Sequence, residues 1–281
     1  MSPGDLRDAS RLSFGMFTIF PVRPPTRVDR AVAGAAMIMA PAAGAALAAA
    51  VLVPLLLALE IASVRDSVLL VALLVTGALA LLTRGMHMDG LADTADGLGS
   101  GRQGPDAVAI MHQSDIGPFG VITLVVALGI QVAALADLAL NGTTTMAAAL
   151  VLALVVSRGL IPVLCGNWMP AAAESGLGKI VAGSVRPLAA TGSLLLSAML
   201  VAAGLGLLHL LATVPSAVPA GLGPLDTSLV RILAIGLLGV VPALVVAVRS
   251  RARFEGVTGD VYGASVETAY TAILLFCALA A

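Results

Sequence analysis

Charged side chains are scarce in this chain: they make up 11% of its 281 residues, against 59% hydrophobic ones. So thin a polar complement excludes an ordinary water-soluble domain. The near-neutral balance, a net charge of −1, offers no basic field for a phosphate backbone, so no nucleic-acid partner is expected. Only two cysteines are present, which excludes a thiolate metal cluster. Cys165 and Cys277 fall near opposite faces of the expected bilayer, so no disulfide joins them and both read as small buried thiols. A secretory leader is not expected either, since the apolar stretch Phe14–Phe20 stops at Pro21 and basic residues follow.

What the chain has in quantity is apolar run length. Mean hydropathy is +1.05, and stretches of about 18 residues or more, enough to cross a bilayer as helix, recur throughout. Roughly, the candidate spans are 34–59, 67–86, 118–140, 145–167, 187–213, 228–248 and 262–281. Glu267 interrupts the last of them. The expected fold is all-α: one integral membrane helical bundle over 1–281, with about seven transmembrane helices and an interfacial helix at residues 9–20. Proline residues 41 and 54 should bend the first span. The small residues Ala40, Gly44 and Ala48 recur every four positions there, a row that suits close packing within the chain or self-association into a homo-oligomer.

Basic residues set the expected orientation. With seven spans and a cytoplasmic N-terminus, only Arg65 and Arg231 of the 15 basic residues lie outside, a strong positive-inside bias. Twelve of the 16 acidic residues fall on the same inner side. Polar chemistry therefore gathers on one membrane face.

The sharpest feature on that face is Arg84-Gly-Met-His-Met-Asp89-Gly-Leu-Ala-Asp93-Thr-Ala-Asp96-Gly97. Spacings of four and three place Asp89, Asp93 and Asp96 on one helical face. Two such charges about 5 Å apart repel by about 3 kcal/mol at an effective dielectric near 20. The row calls for a cation, and hard carboxylate oxygens without thiolates favour Mg2+. A merely solvated acidic face and an ion-translocation path are the other readings.

Around this row stand further candidates. His87 lies two residues before Asp89, off the aspartate row, and reads either as a general base or as a structural hydrogen-bonding group. The glycine-rich stretch 97–104, with Arg102, either presents N–H groups to phosphate or is a flexible loop. Arg158 is a phosphate clamp or a positive-inside anchor. Asp260 and Glu267, seven apart, share a helix face and could complete an anionic or hydroxyl-binding pocket. Acidic rows of this kind hold magnesium on a diphosphate so that one side of it can leave.

The run His87-x-Asp89-Gly-x-Ala-Asp93-x-x-Asp96-Gly97 closely resembles the signature of the cobalamin synthase family, whose members are adenosylcobinamide-GDP ribazoletransferases. Matches continue in order: Phe17-Thr-Ile-Phe-Pro21-Val, Ile110-Met111 with Ser114 and Gly117, Ser157-Arg158, Glu174-Ser-Gly-Leu-Gly178, and Thr258-Gly259-Asp260 with Gly263, Ala264 and Glu267. Together they span almost the whole chain. The family reads basic–Asp–Ser where this chain reads His112-Gln113-Ser114-Asp115, which moves the acidic group two places.

The resemblance implies a multi-pass protein of the bacterial inner membrane with its active site facing the cytoplasm. It implies attack of the 5′-hydroxyl of α-ribazole, or of its 5′-phosphate, on adenosylcobinamide-GDP, with release of GMP. Asp89, Asp93, Asp96 and Asp115 would hold Mg2+. Arg158 would steady the leaving phosphate, His87 or an aspartate would take the proton, and Arg102, Ser114 and Lys179 would contact substrate. Alternatives are another diphosphate-cleaving transferase, of CDP-alcohol phosphotransferase or prenyltransferase type, and an ion transporter. A prenyltransferase normally shows two Asp-rich motifs, a transporter carboxylates within its spans; this chain has one strong motif and no visible inverted repeat.

Overall fold

The computed structural model describes residues 2–58, 67–172, 176–213 and 229–281. Among them the chain forms thirteen helices and no strand; a single bridge pairs Ala171 with Val257. The helices are α1 (Pro3–Phe17), α2 (Arg30–Ile38), α3 (Ala40–Ala58), α4 (Val68–Leu82), α5 (Met86–Gly99), α6 (Gly104–Met111), α7 (Pro118–Leu140), α8 (Thr143–Gly159), α9 (Ile161–Leu164), α10 (Leu177–Val181), α11 (Pro187–Thr213), α12 (Leu229–Phe254) and α13 (Gly259–Ala280). Six stretches are long and apolar enough to cross a membrane, and the bent pair α4–α5 makes a seventh if counted as one span. Arg65, Glu60, Asp66, Glu174, Ser175 and the Pro/Gly-rich loop with Asp226 lie outside the described residues.

The pillar is α8, which with α9 forms a span 83% buried inside the protein, whereas the α11 and α12 spans are each 22% buried. The outward faces of those two are Leu- and Val-rich: Leu195, Met199, Leu207, Leu237 and Val241 are all exposed, as lipid-facing side chains are. Against α8 runs α3, and Gly44 explains how closely: a Cβ there would sit 2.4 Å from the Leu154 carbonyl oxygen. Ala40 and Ala48 of the same row are buried, so the small-residue row serves packing within the chain. The first span is broken at Met39, between α2 and α3, just ahead of Pro41, while Pro54 is carried inside α3.

Between α4 and α5 the chain turns by 87°. Arg84 and Gly85, both in the left-handed region at φ 57° and 66°, make the corner; glycine takes that conformation freely and arginine at a cost. Arg84 recovers part of it by donating from Nη2 to the carbonyls of Gly15 and Met16, at 2.7 and 3.1 Å. The Ile19 N–H donates to the Leu82 carbonyl at 2.7 Å, so α1 is latched onto the corner. This N-terminal helix begins earlier than residue 9 and stops at Phe17, where Thr18 turns extended. Asp8 holds it down, accepting from the hydroxyl of Thr26 and from the N–H groups of Thr26 and Arg27.

Candidate active site

The corner turns α5 out of the span direction and across the end of the bundle, and it is there that the acidic row is displayed. On α5 the three carboxylates do share a face, but they are not equivalent. Asp89 is exposed, Asp93 half-buried and Asp96 buried. Asp96 reaches the start of α7, where its Oδ2 accepts the Gly117 N–H at 2.8 Å and its Oδ1 the Gly120 N–H at 2.9 Å. A helix start has orphan N–H groups and a positive dipole end, and a carboxylate from a neighbouring helix satisfies both. The two glycines are required for this, since a Cβ at either would come within 2.4 Å of the Asp96 oxygens. Asp96, expected as a metal ligand with Asp89 and Asp93, thus uses one lone pair of each oxygen in tying α5 to α7.

A further carboxylate arrives from elsewhere. Gly90 has no side chain, so the first turn of α13 lies directly on α5, with the Asp260 carbonyl 2.7 Å from where a Cβ would stand. That contact delivers the Asp260 carboxylate beside Asp93. Partial burial and the neighbouring charges of Asp89, Asp260 and Asp96 push the Asp93 carboxyl up to about 7. Asp260 Oδ2 accepts from Thr258 Oγ1 at 3.1 Å and lies 3.9 Å from His112 Nε2. Nothing in the sequence flagged His112 as a neighbour of Asp260, because the pair is formed across 148 residues by the packing of α6 and α13 against α5.

Two hollows flank this turn of α5. One is an open groove of about 890 Å3 between α5, α6 and the start of α7, lined by Arg84, Asp89, Asp93, His112, Gln113 and Ser114 among others. The other is a smaller cavity of about 150 Å3 on the α1 side, also reached by Asp89 and by Asp260. Among the described residues no three Asp, Glu, His or Cys side chains stand together as a preformed metal cage. Magnesium does not ask for one: it is commonly held by one or two carboxylates, with water and substrate phosphate completing the shell. The donor set of Asp89 and Asp93, with Asp260 beside it, fits that demand.

The other candidates scatter. Ser114 lines the groove, its Oγ donating to Asp115 Oδ1 at 3.3 Å. Asp115 is exposed and is not part of the groove lining. Arg102 is exposed in the turn after α5, its N–H donating to Ser100 Oγ at 3.1 Å, and lines neither hollow. Lys179 is exposed on α10, which Gly178 brings against the backbone of Thr258 and Gly259.

His87, Arg158 and Glu267 are buried inside the bundle, and His87 also lines the smaller cavity. His87 is 2% exposed and stacks on Phe17, ring centroids 6.1 Å apart. Its Nδ1 faces Arg158 Nη2 at 3.3 Å. Burial, and then the Arg158 guanidinium, hold the imidazole well below its ordinary value. Arg158, also 2% exposed, donates to Ser157 Oγ at 2.9 Å and lies over the Tyr270 ring at 5.8 Å. Arg158, expected as a phosphate clamp or a positive-inside anchor, lines neither hollow. Glu267 is expected in the same pocket as Asp260 but sits two turns deeper in α13, where Gln131 Nε2 donates to it at 2.7 Å and to Thr271 Oγ1 at 2.8 Å.

Comparison with known proteins fits this arrangement. The family model described as cobalamin-5-phosphate synthase matches residues 9–278. A relative from Nocardioides sp., named adenosylcobinamide-GDP ribazoletransferase, is 40% identical over 271 residues, covering 96% of this chain and 98% of its own. One of the same name from Frankia casuarinae is 36% identical, covering 96% and 94%. A third, from Rhizobium etli, is 35% identical over 81% of this chain and 80% of its own. No solved structure gives a significant match. With nearly its full length matched and its signature aspartates gathered at one end of a membrane helical bundle, the chain belongs to the cobalamin-5-phosphate synthase family.

Proposed function

We propose that this protein is a magnesium-dependent adenosylcobinamide-GDP ribazoletransferase, joining α-ribazole or its 5′-phosphate to adenosylcobinamide-GDP and releasing GMP. The observation that carries this reading is the pair of carboxylates Asp89 and Asp93 on the wall of an open groove, with the like charge of Asp260 beside them. Asp89 and Asp93 would hold Mg2+, which when bound supplies charge neutralisation on the diphosphate and on the departing phosphate. The ribazole 5′-oxygen forms a bond to the cobinamide-side phosphorus, the bond from that phosphorus to the bridging oxygen breaks, and the bridging oxygen leaves with GMP. Asp260, half-exposed and steadied by Thr258, takes the hydroxyl proton, with His112 beside it to pass the proton on. Ser114 on the groove wall and Arg84 at its corner are placed to meet polar groups of the larger substrate. Arg158 acts through His87 as a positioning residue.

The groove end of the bundle faces the cytoplasm of a bacterial inner membrane in this reading, because the described basic residues other than Arg231 belong to that end in the seven-span topology. The test is direct. Detergent-solubilised protein supplied with Mg2+, adenosylcobinamide-GDP and α-ribazole should release GMP and form adenosylcobalamin in equal amounts. A chelator should stop it. Failure to form product with every component present overturns the assignment.

A further inference from the structure

We infer that the smaller cavity behind Asp89 and Asp260 seats the flat base of the acceptor nucleoside, an inference that rests on the transferase reading above. The cavity, of about 150 Å3, is walled by Met16, Phe17, Met37, Met86, Ile161 and Val266, from five different helices. A cavity of this size has room for one aromatic ring, and methionine walls suit a polarisable one. Its mouth carries the carboxylates of Asp89 and Asp260. A second ring and a sugar would extend toward them.

Two side chains in its lining, His87 and Tyr262, each carry a buried polar atom without a partner. His87 Nδ1 faces the Arg158 guanidinium, a group that only donates, so Nδ1 accepts and the ring proton sits on Nε2. That Nε2–H is buried and without an acceptor. Buried N–H groups are nearly always satisfied, and His87 lines this cavity. The site thus offers an N–H donor and a single hydroxyl among apolar walls, which suits a largely apolar ring with an acceptor nitrogen. The dimethylated benzimidazole of α-ribazole has that pattern: one free ring nitrogen and two methyl groups. Guanine fits worse, because its donors and acceptors outnumber the His87 and Tyr262 groups and the remainder would face methionine sulfur and aliphatic carbon unpaired.

The division of labour follows from the walls. The open groove of about 890 Å3 and the smaller cavity share Met86 and Asp89, so a single turn of α5 separates them. The bulky diphosphate substrate enters from the groove, the acceptor base from the cavity, and the two reacting groups meet at the shared carboxylates. This places the ribazole hydroxyl beside Asp260, where the proton must go.

The experiment measures KM for each substrate, and equilibrium binding of α-ribazole, with the full-length protein in detergent. Ile161→Phe, which fills the cavity, should raise the KM for α-ribazole at least tenfold and leave that for adenosylcobinamide-GDP within twofold. Wild-type protein should bind the matching indole riboside, which lacks the acceptor nitrogen, at least tenfold more weakly than α-ribazole. This second comparison needs no variant and decides the matter if Ile161→Phe does not fold. Equal binding of the two ribosides, or an unchanged α-ribazole KM in folded Ile161→Phe, overturns the cavity assignment while the transferase reading stands. Absence of both turnover and α-ribazole binding in the wild type overturns both.

Discussion

Asp93 and Asp96 are three residues apart on one helix, yet the structure separates what each should do when neutralised. Asp93 is crowded by like charges, so Asp93→Asn relieves repulsion; thermal unfolding in detergent should be unchanged or shifted upward while GMP release falls at least a hundredfold. Asp96 accepts two N–H groups at the start of α7, and an amide offers only one acceptor oxygen and no charge. Asp96→Asn should therefore lower stability by about 1–2 kcal/mol, the scale of losing a cap and its dipole interaction, and leave the Mg2+ requirement in place. The reverse pattern, with Asp93→Asn unfolding and Asp96→Asn abolishing metal dependence, would exchange the two roles. The Asp93 carboxyl, pushed up to about 7, also sets a pH dependence. Its folded-state value lies above its unfolded one, so this group favours the fold at low pH and opposes it as pH rises through about 7. Magnesium needs the ionised form and competes with the proton, so the Mg2+ midpoint for activity should be about tenfold higher at pH 6 than at pH 8. A midpoint flat across that range would remove Asp93 from the metal site.

At the scale of elements, the site is made by how close α13 approaches α5, and Gly90 controls that distance. Gly90→Ala should on propensity alone gain about 1 kcal/mol in a helix. Its Cβ would meet backbone rather than a yielding side chain, the Asp260 carbonyl at 2.7 Å, so overpacking of about 1–3 kcal/mol outweighs the gain. The variant should unfold earlier and lose at least tenfold in turnover; a more stable, fully active Gly90→Ala would show that the helices do not touch there. Deeper in the bundle, the Arg158 guanidinium and the Glu267 carboxyl are both buried and attract one another through space. Removing either partner alone strands a buried charge, at about 3–5 kcal/mol. Arg158→Met with Glu267→Gln should be more stable than Arg158→Met alone, read by thermal unfolding as a double-mutant cycle. Here too lies the boundary of what the sequence discloses. The helical period made the shared face of Asp89, Asp93 and Asp96 legible, because spacing alone determines it. Composition could not show that Asp96 meets two glycine N–H groups, since backbone donors leave no residue-type signature. The sequence likewise carries the charges of Arg158 and Glu267 openly, but their depth is a property of tertiary packing around α8.

For the whole molecule, hydropathy was enough to read an all-α membrane bundle, since apolar runs of span length have few other uses. The 87° corner between α4 and α5 was not readable, because it depends on two adjacent left-handed residues latched by α1, and it is the corner that turns an apparent span end into a platform for chemistry. That platform has a side, and its side decides which solvent reaches the groove. Ser114 is exposed beside the groove, while Asn141 is exposed in the turn between α7 and α8, one span of about 34 Å away at 1.5 Å per residue. The native thiols interfere little, since Cys165 is fully buried and Cys277 partly so. In intact bacterial cells a membrane-impermeant maleimide should label Asn141→Cys and spare Ser114→Cys; after permeabilisation both should react. If Ser114→Cys reacts in intact cells and Asn141→Cys does not, the arginine distribution has been read upside down, and nucleotide substrates made in the cytoplasm would have no route to Asp89 and Asp93.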